Sequence, residues 1–142
     1  MRAYIDTSLL VKRYTPELGS NELDGFLCEA QPLLFVSELS RLELASAFSR
    51  KGRDGFLSMQ AHDAISRQAD ADFFSGSIEV VKLESRIIQR ALELMRTLKQ
   101  PVATLDSVHL ATALLDRASL FMTNDRQLAR AALESGLEVW PA

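Results

Sequence analysis

Four carboxylates stand where the chain changes character. Asp6 closes the apolar run Met1-Arg-Ala-Tyr-Ile, and Asp125 closes Leu120-Phe-Met-Thr-Asn; Glu43 lies inside an apolar helical stretch, and Asp106 opens another. Carboxylates gathered in one crevice repel each other unless a hard cation sits among them, and a divalent ion held by oxygen is suited to phosphoryl chemistry. Softer ligands are scarce. A single cysteine, Cys28, and two histidines, His62 and His109, are too few for a Cys/His zinc site, so any metal must be bound by oxygen.

Each acid also has an ordinary structural use. Asp6 precedes Thr-Ser-Leu-Leu-Val and Asp125 precedes Arg-Gln-Leu-Ala-Arg, so either carboxylate can cap a helix by accepting a free backbone N–H. Asp106 falls in a first helical turn after Thr104, where the helix dipole favours negative charge. Glu43 is harder to place, because its neighbours Leu39, Leu42, Leu44, Ala47 and Phe48 are apolar nearly all round. A carboxylate there is costly unless paired or coordinated, and a salt bridge to Arg41, Arg50 or another basic residue is the structural alternative. Thr7, Ser8 and Thr123 are hydroxyls placed to orient an acid or a metal-bound water, with helix capping as their other use. His109, one turn after Asp106, is placed to orient that residue; a buried, hydrogen-bonded core histidine is the alternative, and it stays outside the catalytic set.

The elements that must position these residues follow from apolar runs and breakers. Residues 2–5, 33–36, 78–82, 119–123 and 137–140 read as short strands. Helices are expected over 7–14 (ended by Pro16), 21–30, 37–51 (capped by Ser37 and ended by Gly52), 56–74 (closed by Gly76), 84–99 (stopped by Pro101), 105–117 and 126–135 (ended by Gly136). Strands alternating with helices predict an α/β sandwich with a mostly parallel sheet of about five strands, which places Asp6 and Asp125 together at the strands' carboxyl ends.

The whole chain of 142 residues, 47% hydrophobic and 25% charged, is expected to form a single globular domain, 1–142. Asp6, Lys12 and Arg13 interrupt the N-terminal apolar run, so it fits neither a signal peptide nor a membrane span, and a cytoplasmic location is expected. A net charge of −3 argues against a general nucleic-acid coat protein, although neutralising four acids with metal would leave a mildly basic remainder.

The motifs Tyr4-Ile-Asp6-Thr-Ser-Leu-Leu-Val-Lys12, Ser37 to Phe48 around Glu43, Leu105-Asp106-Ser-Val-His109-Leu-Ala-Thr-Ala113, and Met122-Thr-Asn-Asp125 with Gly136-Leu-Glu-Val139 appear in family order. Together they resemble the PIN-domain nucleases, and within them the VapC-type toxins of toxin-antitoxin pairs. The resemblance implies a PIN-like three-layer sandwich and a Mg2+- or Mn2+-dependent endoribonuclease cutting RNA phosphodiesters. Asp6, Glu43, Asp106 and Asp125 would form its acidic site. Asp6 and Asp106 would be the principal direct ligands, with Glu43 and Asp125 acting through water or completing a second metal position. It also implies a small VapB-like antitoxin that blocks the crevice with Arg or Lys and apolar groups, and a homodimer. The helices at 21–30 and 37–51 are apolar enough to be either docking surface or core. RNA phosphates would be met by Lys12, Arg13, Arg41, Arg126 or the Ser49-Arg-Lys-Gly-Arg53 cluster, whose simpler use is a solvated helix end.

Rival readings meet specific obstacles. A haloacid-dehalogenase-like phosphatase needs a second aspartate where Ser8 stands, and a receiver-like domain needs a phosphoacceptor aspartate where Lys82 ends the middle strand. A solitary RNA-processing nuclease and a catalytically inactive PIN-like binding module remain as alternatives to the toxin.

Overall fold

A computed structural model describes residues Met1–Ala142. Five strands, β1 (Arg2–Ile5), β2 (Leu33–Ser37), β3 (Ile78–Val81), β4 (Leu120–Met122) and β5 (Glu138–Trp140), form one sheet in the order β3-β2-β1-β4-β5. Every pairing is parallel. Seven helices make the crossovers such a sheet requires: α1 (Thr7–Tyr14), α2 (Ser20–Ala30), α3 (Glu38–Arg53), α4 (Met59–Ser75), α5 (Ser85–Thr97), α6 (Thr104–Leu115) and α7 (Arg126–Glu134).

The period-two alternation of the strands sorts the core into two halves. Ala3, Ile5, Leu34, Val36, Leu120 and Met122 face one layer, where they meet Leu9, Leu10, Leu23, Leu44, Phe48 and Ala69 from α1 to α4. Tyr4, Phe35 and Phe121 face the other and pack with Ile87, Ala91, Leu94, Leu110 and Leu128 from α5, α6 and α7. The result is a three-layer sandwich with helices on both faces, in agreement with the sequence reading. Because central strands are buried on both sides, their residues are nearly all apolar, and each large one contributes about 1.5–3 kcal/mol by leaving water.

Helices α5 and α6 end two residues short of expectation, at Thr97 and Leu115, and two other helix boundaries differ for a readable reason. Gly52 lies inside α3, which runs on to Arg53 and caps at Asp54, and the left-handed turn falls three residues past Gly52, at Gly55 with φ of 82°. A glycine within a helix only weakens it by about 1 kcal/mol, and Arg50, Lys51 and Arg53 favour the last turn through the dipole. Helix α4 starts at Met59 rather than Phe56, because Ser58 accepts the Ala61 N–H and fixes the cap there; Phe56 is left 78% exposed.

The strand order reverses on either side of β1: its forward neighbour is β2 on one side and β4 on the other. A sheet that switches direction in this way opens a crevice at the carboxyl ends of the two strands at the switch. Asp6 follows β1 directly, and Thr123, Asn124 and Asp125 follow β4. No helix is long and apolar enough to cross a membrane.

Candidate active site

Asp6 is the best-anchored of the four acids. It follows β1 with extended backbone, its N–H donates to the Met122 carbonyl at 2.9 Å, and its carboxylate caps α1. Oδ1 accepts from Ser8 Oγ at 2.7 Å and from the Leu9 N–H at 3.3 Å, and Oδ2 accepts from Thr123 Oγ1 at 2.8 Å. A carboxylate offers about four acceptor sites, so three are used and one remains, on Oδ2. The side chain is only 4% exposed. Burial pushes its pKa above the ordinary value, against the pull of the hydrogen bonds from Ser8 and Thr123.

Thr123 and Ser8 stitch β1 to the segment after β4. Thr123 Oγ1 accepts the Asp125 N–H at 3.1 Å while donating to Asp6, and Ser8 Oγ accepts the Asn124 N–H at 3.2 Å. Capping and site-building are therefore not exclusive for Asp125. Its Oδ1 accepts the N–H groups of Gln127 and Leu128 at 2.9 and 3.2 Å, which starts α7, and Oδ2 stays free.

Glu43 does not pair with Arg41 or Arg50; the basic residue it meets is His109. Its Oε1 accepts from Thr7 Oγ1 at 2.7 Å and is bonded to His109 Nε2 at 2.6 Å, while Oε2 has no partner. Burial by itself would raise the Glu43 pKa; the hydrogen bond and electrostatic attraction of His109, with the hydrogen bond from Thr7, outweigh it and hold the carboxyl below the usual range. His109 thus reaches the acid on α3, 66 residues away, and not Asp106 on its own helix.

Asp106 sits in the first turn of α6, half-buried and without a hydrogen bond or ion pair of its own. Partial desolvation raises its pKa, and the nearby charges of Asp125 and Glu43 raise it further, which places the three acids in one field. No Lys or Arg forms an ion pair with Asp6, Glu43, Asp106 or Asp125; the basic side chains pair with Glu17, Glu79, Glu84, Glu93 and Asp116 instead. The crevice therefore holds no Lys or Arg counter-charge, and its basic neighbour is His109 beside Glu43.

A family model for the PIN domain matches residues 3–134. The chain belongs to the PIN-domain family. Solved structures with the same fold include FitAcB from Neisseria gonorrhoeae, at TM-score 0.70 and 13% identity over 96% of this chain and 95% of that one. VapC20 from Mycobacterium tuberculosis, described as a sarcin-ricin-loop-cleaving toxin, aligns at 0.68 and 16% identity over 91% and 94%. VapBC2 from Rickettsia felis, bound to a fragment of its promoter DNA, aligns at 0.65 and 17% over 98% and 97%. At the level of sequence, no curated protein matches.

No three acidic, histidine or cysteine side chains of this PIN domain close on a common point as a ready-made metal cage. The donor set nevertheless suits a small hard cation: four carboxylates with unused oxygens and no Lys or Arg partner, at one sheet edge. Mg2+ in particular keeps several waters and takes only one or two carboxylates directly, so a complete protein cage is not what it requires.

Beside the acids, a groove of about 480 Å³ runs between α1 and α3, lined by Thr7, Ser8, Val11, Leu39, Leu42 and Glu43 among others, with Leu105 at its edge. Sequence reasoning passed over Tyr4, whose hydroxyl is bonded to His109 Nδ1. The available signal was a phenol in the middle of a fully buried strand, since a buried tyrosine hydroxyl usually has a partner.

Proposed function

We propose that this PIN-domain chain is a divalent-metal-dependent endoribonuclease and the toxin of a type II toxin-antitoxin pair. The observation that carries the reading is the group of four carboxylates without a Lys or Arg partner toward the β1/β4 switch, with Asp6 buried and anchored by three hydrogen bonds. Asp6, through its remaining acceptor site, and Asp106, with both oxygens unengaged, are the direct ligands. Glu43 Oε2 and Asp125 Oδ2 act through water or at a second position. A bound Mg2+ or Mn2+ would polarise a phosphoryl oxygen and lower the pKa of a water poised for in-line attack.

The chain's own part is to keep these oxygens in place before substrate arrives. Ser8 and Thr123 fix Asp6 from both sides, and Thr7 fixes Glu43, so the carboxylates need not reorganise when charge develops on the phosphate. No side-chain nucleophile is required. RNA as the substrate rests on the fold shared with VapC20, and Arg13 and Arg126 flank the acids in sequence as candidates for phosphate contact, whereas Lys12 is tied to the Leu18 carbonyl and Glu17 and Arg41 lies over Phe73.

The antitoxin follows from the groove between α1 and α3. Apolar Val11, Leu39 and Leu42 lead to Glu43, which suits a segment that presents apolar side chains followed by Arg or Lys. A homodimer is supported by α5, where Ile88, Leu92 and Met95 recur at helical spacing and stay over 40% exposed, opposite the buried Ile87, Ala91 and Leu94.

The deciding experiment is cleavage of RNA in Mg2+ or Mn2+ by the wild type and Asp6→Asn, with EDTA as control. Metal-dependent cleavage by the wild type alone is expected; equal activity in the two proteins removes the mechanism, and no cleavage by either leaves the inactive binding module.

A further inference from the structure

One buried constellation at the site is not used by the chemistry above. His109 is 2% exposed and Tyr4 is wholly buried, yet both point polar atoms toward an acid instead of into a hydrocarbon core. Tyr4 is held rigidly: its ring stacks on Phe121 at 5.3 Å between centroids and meets Phe35 edge-on at 5.3 Å.

The Tyr4 hydroxyl oxygen faces the Ser37 N–H at 3.2 Å, which can only donate, and His109 Nδ1 at 2.5 Å. One arrangement of hydrogens runs along the whole line: the phenolic hydrogen goes to Nδ1, which is then bare. The ring proton is then on Nε2, where it donates to Glu43 Oε1 at 2.6 Å, alongside Thr7. Both ring nitrogens are spent, so His109 is not itself a metal ligand.

We propose that Tyr4 and His109 form a fixed-tautomer clamp, in which His109 is a positioning residue that holds Glu43 by one oxygen and leaves Oε2 for the metal site. This rests on the nuclease reading above. An imidazole donor suits the task better than Lys or Arg would, because a ring packed in the core fixes the carboxylate through a single N–H instead of a flexible chain. The clamp also couples two acids, since His109 lies one turn after Asp106 on α6 and grips Glu43 on α3. Movement of α6 would displace both carboxylates together.

The test uses the intact chain and three variants. In the metal-free wild type, side-chain 15N NMR is expected to show His109 protonated at Nε2 and bare at Nδ1, with His62 as internal reference. A proton at Nδ1 overturns the clamp whether or not the protein cuts RNA. His109→Leu is expected to lower Mn2+ affinity, read by EPR, and kcat on an RNA oligonucleotide by about 10–100-fold, the usual effect of losing a group that orients a ligand, with KM little changed. His109→Gln, whose amide nitrogen can stand where Nε2 stood, should recover most of that loss. Equal Mn2+ affinity and kcat in the Gln and Leu variants, both melting as cooperatively as the wild type, would reduce His109 to packing and overturn the clamp.

Should His109→Leu fail to fold, Tyr4→Phe decides. It keeps the ring between Phe35 and Phe121 and deletes only the donor, so protonation at Nδ1 should become visible and kcat fall severalfold; no change in either overturns the proposal. A wild type that neither binds Mn2+ nor cuts RNA refutes the nuclease reading and takes the clamp's role with it. A wild type that cuts RNA beside a His109→Leu that cuts equally well refutes the clamp alone.

Discussion

Thr123→Val removes one hydroxyl from the most tightly built part of the site and changes almost nothing in shape. The hydroxyl donates to the buried Asp6 carboxylate at 2.8 Å and accepts the Asp125 N–H at 3.1 Å. A hydrogen bond to a charged acceptor is worth about 1.5–3 kcal/mol and a neutral one about 1 kcal/mol. The new buried methyl returns roughly 0.8 kcal/mol. The net loss is about 2–3 kcal/mol, which for a chain of this size lowers Tm by roughly 5–10 °C. Its pH dependence follows from Asp6. Burial raises the folded-state pKa of Asp6 above 3.8, so ionised Asp6 costs stability at pH above the folded value. That cost fades as pH falls through the folded pKa and is gone below 3.8, the unfolded reference. Thr123 offsets part of the cost by donating to the charged form, and its deletion raises the Asp6 pKa further. The deficit of Thr123→Val should therefore be full above the folded-state pKa of Asp6 and shrink, as pH falls through it, to the part owed to the Asp125 N–H. Urea or thermal unfolding in EDTA between pH 7 and 4 measures it. A deficit that is constant over that range would show that Thr123 acts by packing and not through the charge of Asp6.

Two further outcomes separate site from scaffold. Mg2+ at about 100 times its Kd should stabilise the wild type by roughly 2.7 kcal/mol; Asp106→Asn, which removes a half-exposed carboxylate without a partner, should melt in EDTA within a few degrees of the wild type and lose the Mg2+-dependent rise, while a retained rise would remove Asp106 from the ligand set. Tyr14→Phe deletes the hydroxyl that donates to Asp72 Oδ2 at 2.7 Å, at the opposite end of α1 from Asp6; stability should fall by about 1–2 kcal/mol with RNA cleavage per folded molecule unchanged, and a specific loss of kcat would show that α1 transmits strain to the site.

The parts of the molecule legible in sequence are those whose cause is local. Alternating apolar strands and helices separated by Pro16, Pro32, Pro101, Gly76 and Gly136 sufficed for a parallel α/β sandwich, because each boundary is a property of a few adjacent residues. Gly52 misled because a glycine both ends helices and sits within them, and only the backbone turn at Gly55 separates the two cases. Asp6 and Asp125 stood out because strand ends are where a parallel sheet gathers chemistry. The partner of Glu43 was not legible: helical spacing ties His109 to Asp106, three residues before it, whereas the folded chain turns its ring toward α3. Tyr4 was hidden for the same reason, since its partner lies 105 residues along the chain. Pairings that cross between layers leave no periodic trace.

The hydrogen bond between Thr123 and Asp6 spans 117 residues, and the strand that completes the crevice, β4, is the fourth of five to be made. During synthesis, Asp6, Glu43 and Asp106 all leave the ribosome before β1 has its second neighbour or Asp6 its second anchor. A nascent chain of 119 residues contains three of the four acids and no crevice to hold them. The order of the elements along the chain therefore delays the crevice: its first acid is made at the start and its last anchor 117 residues later, so the site exists only once these two distant segments have met.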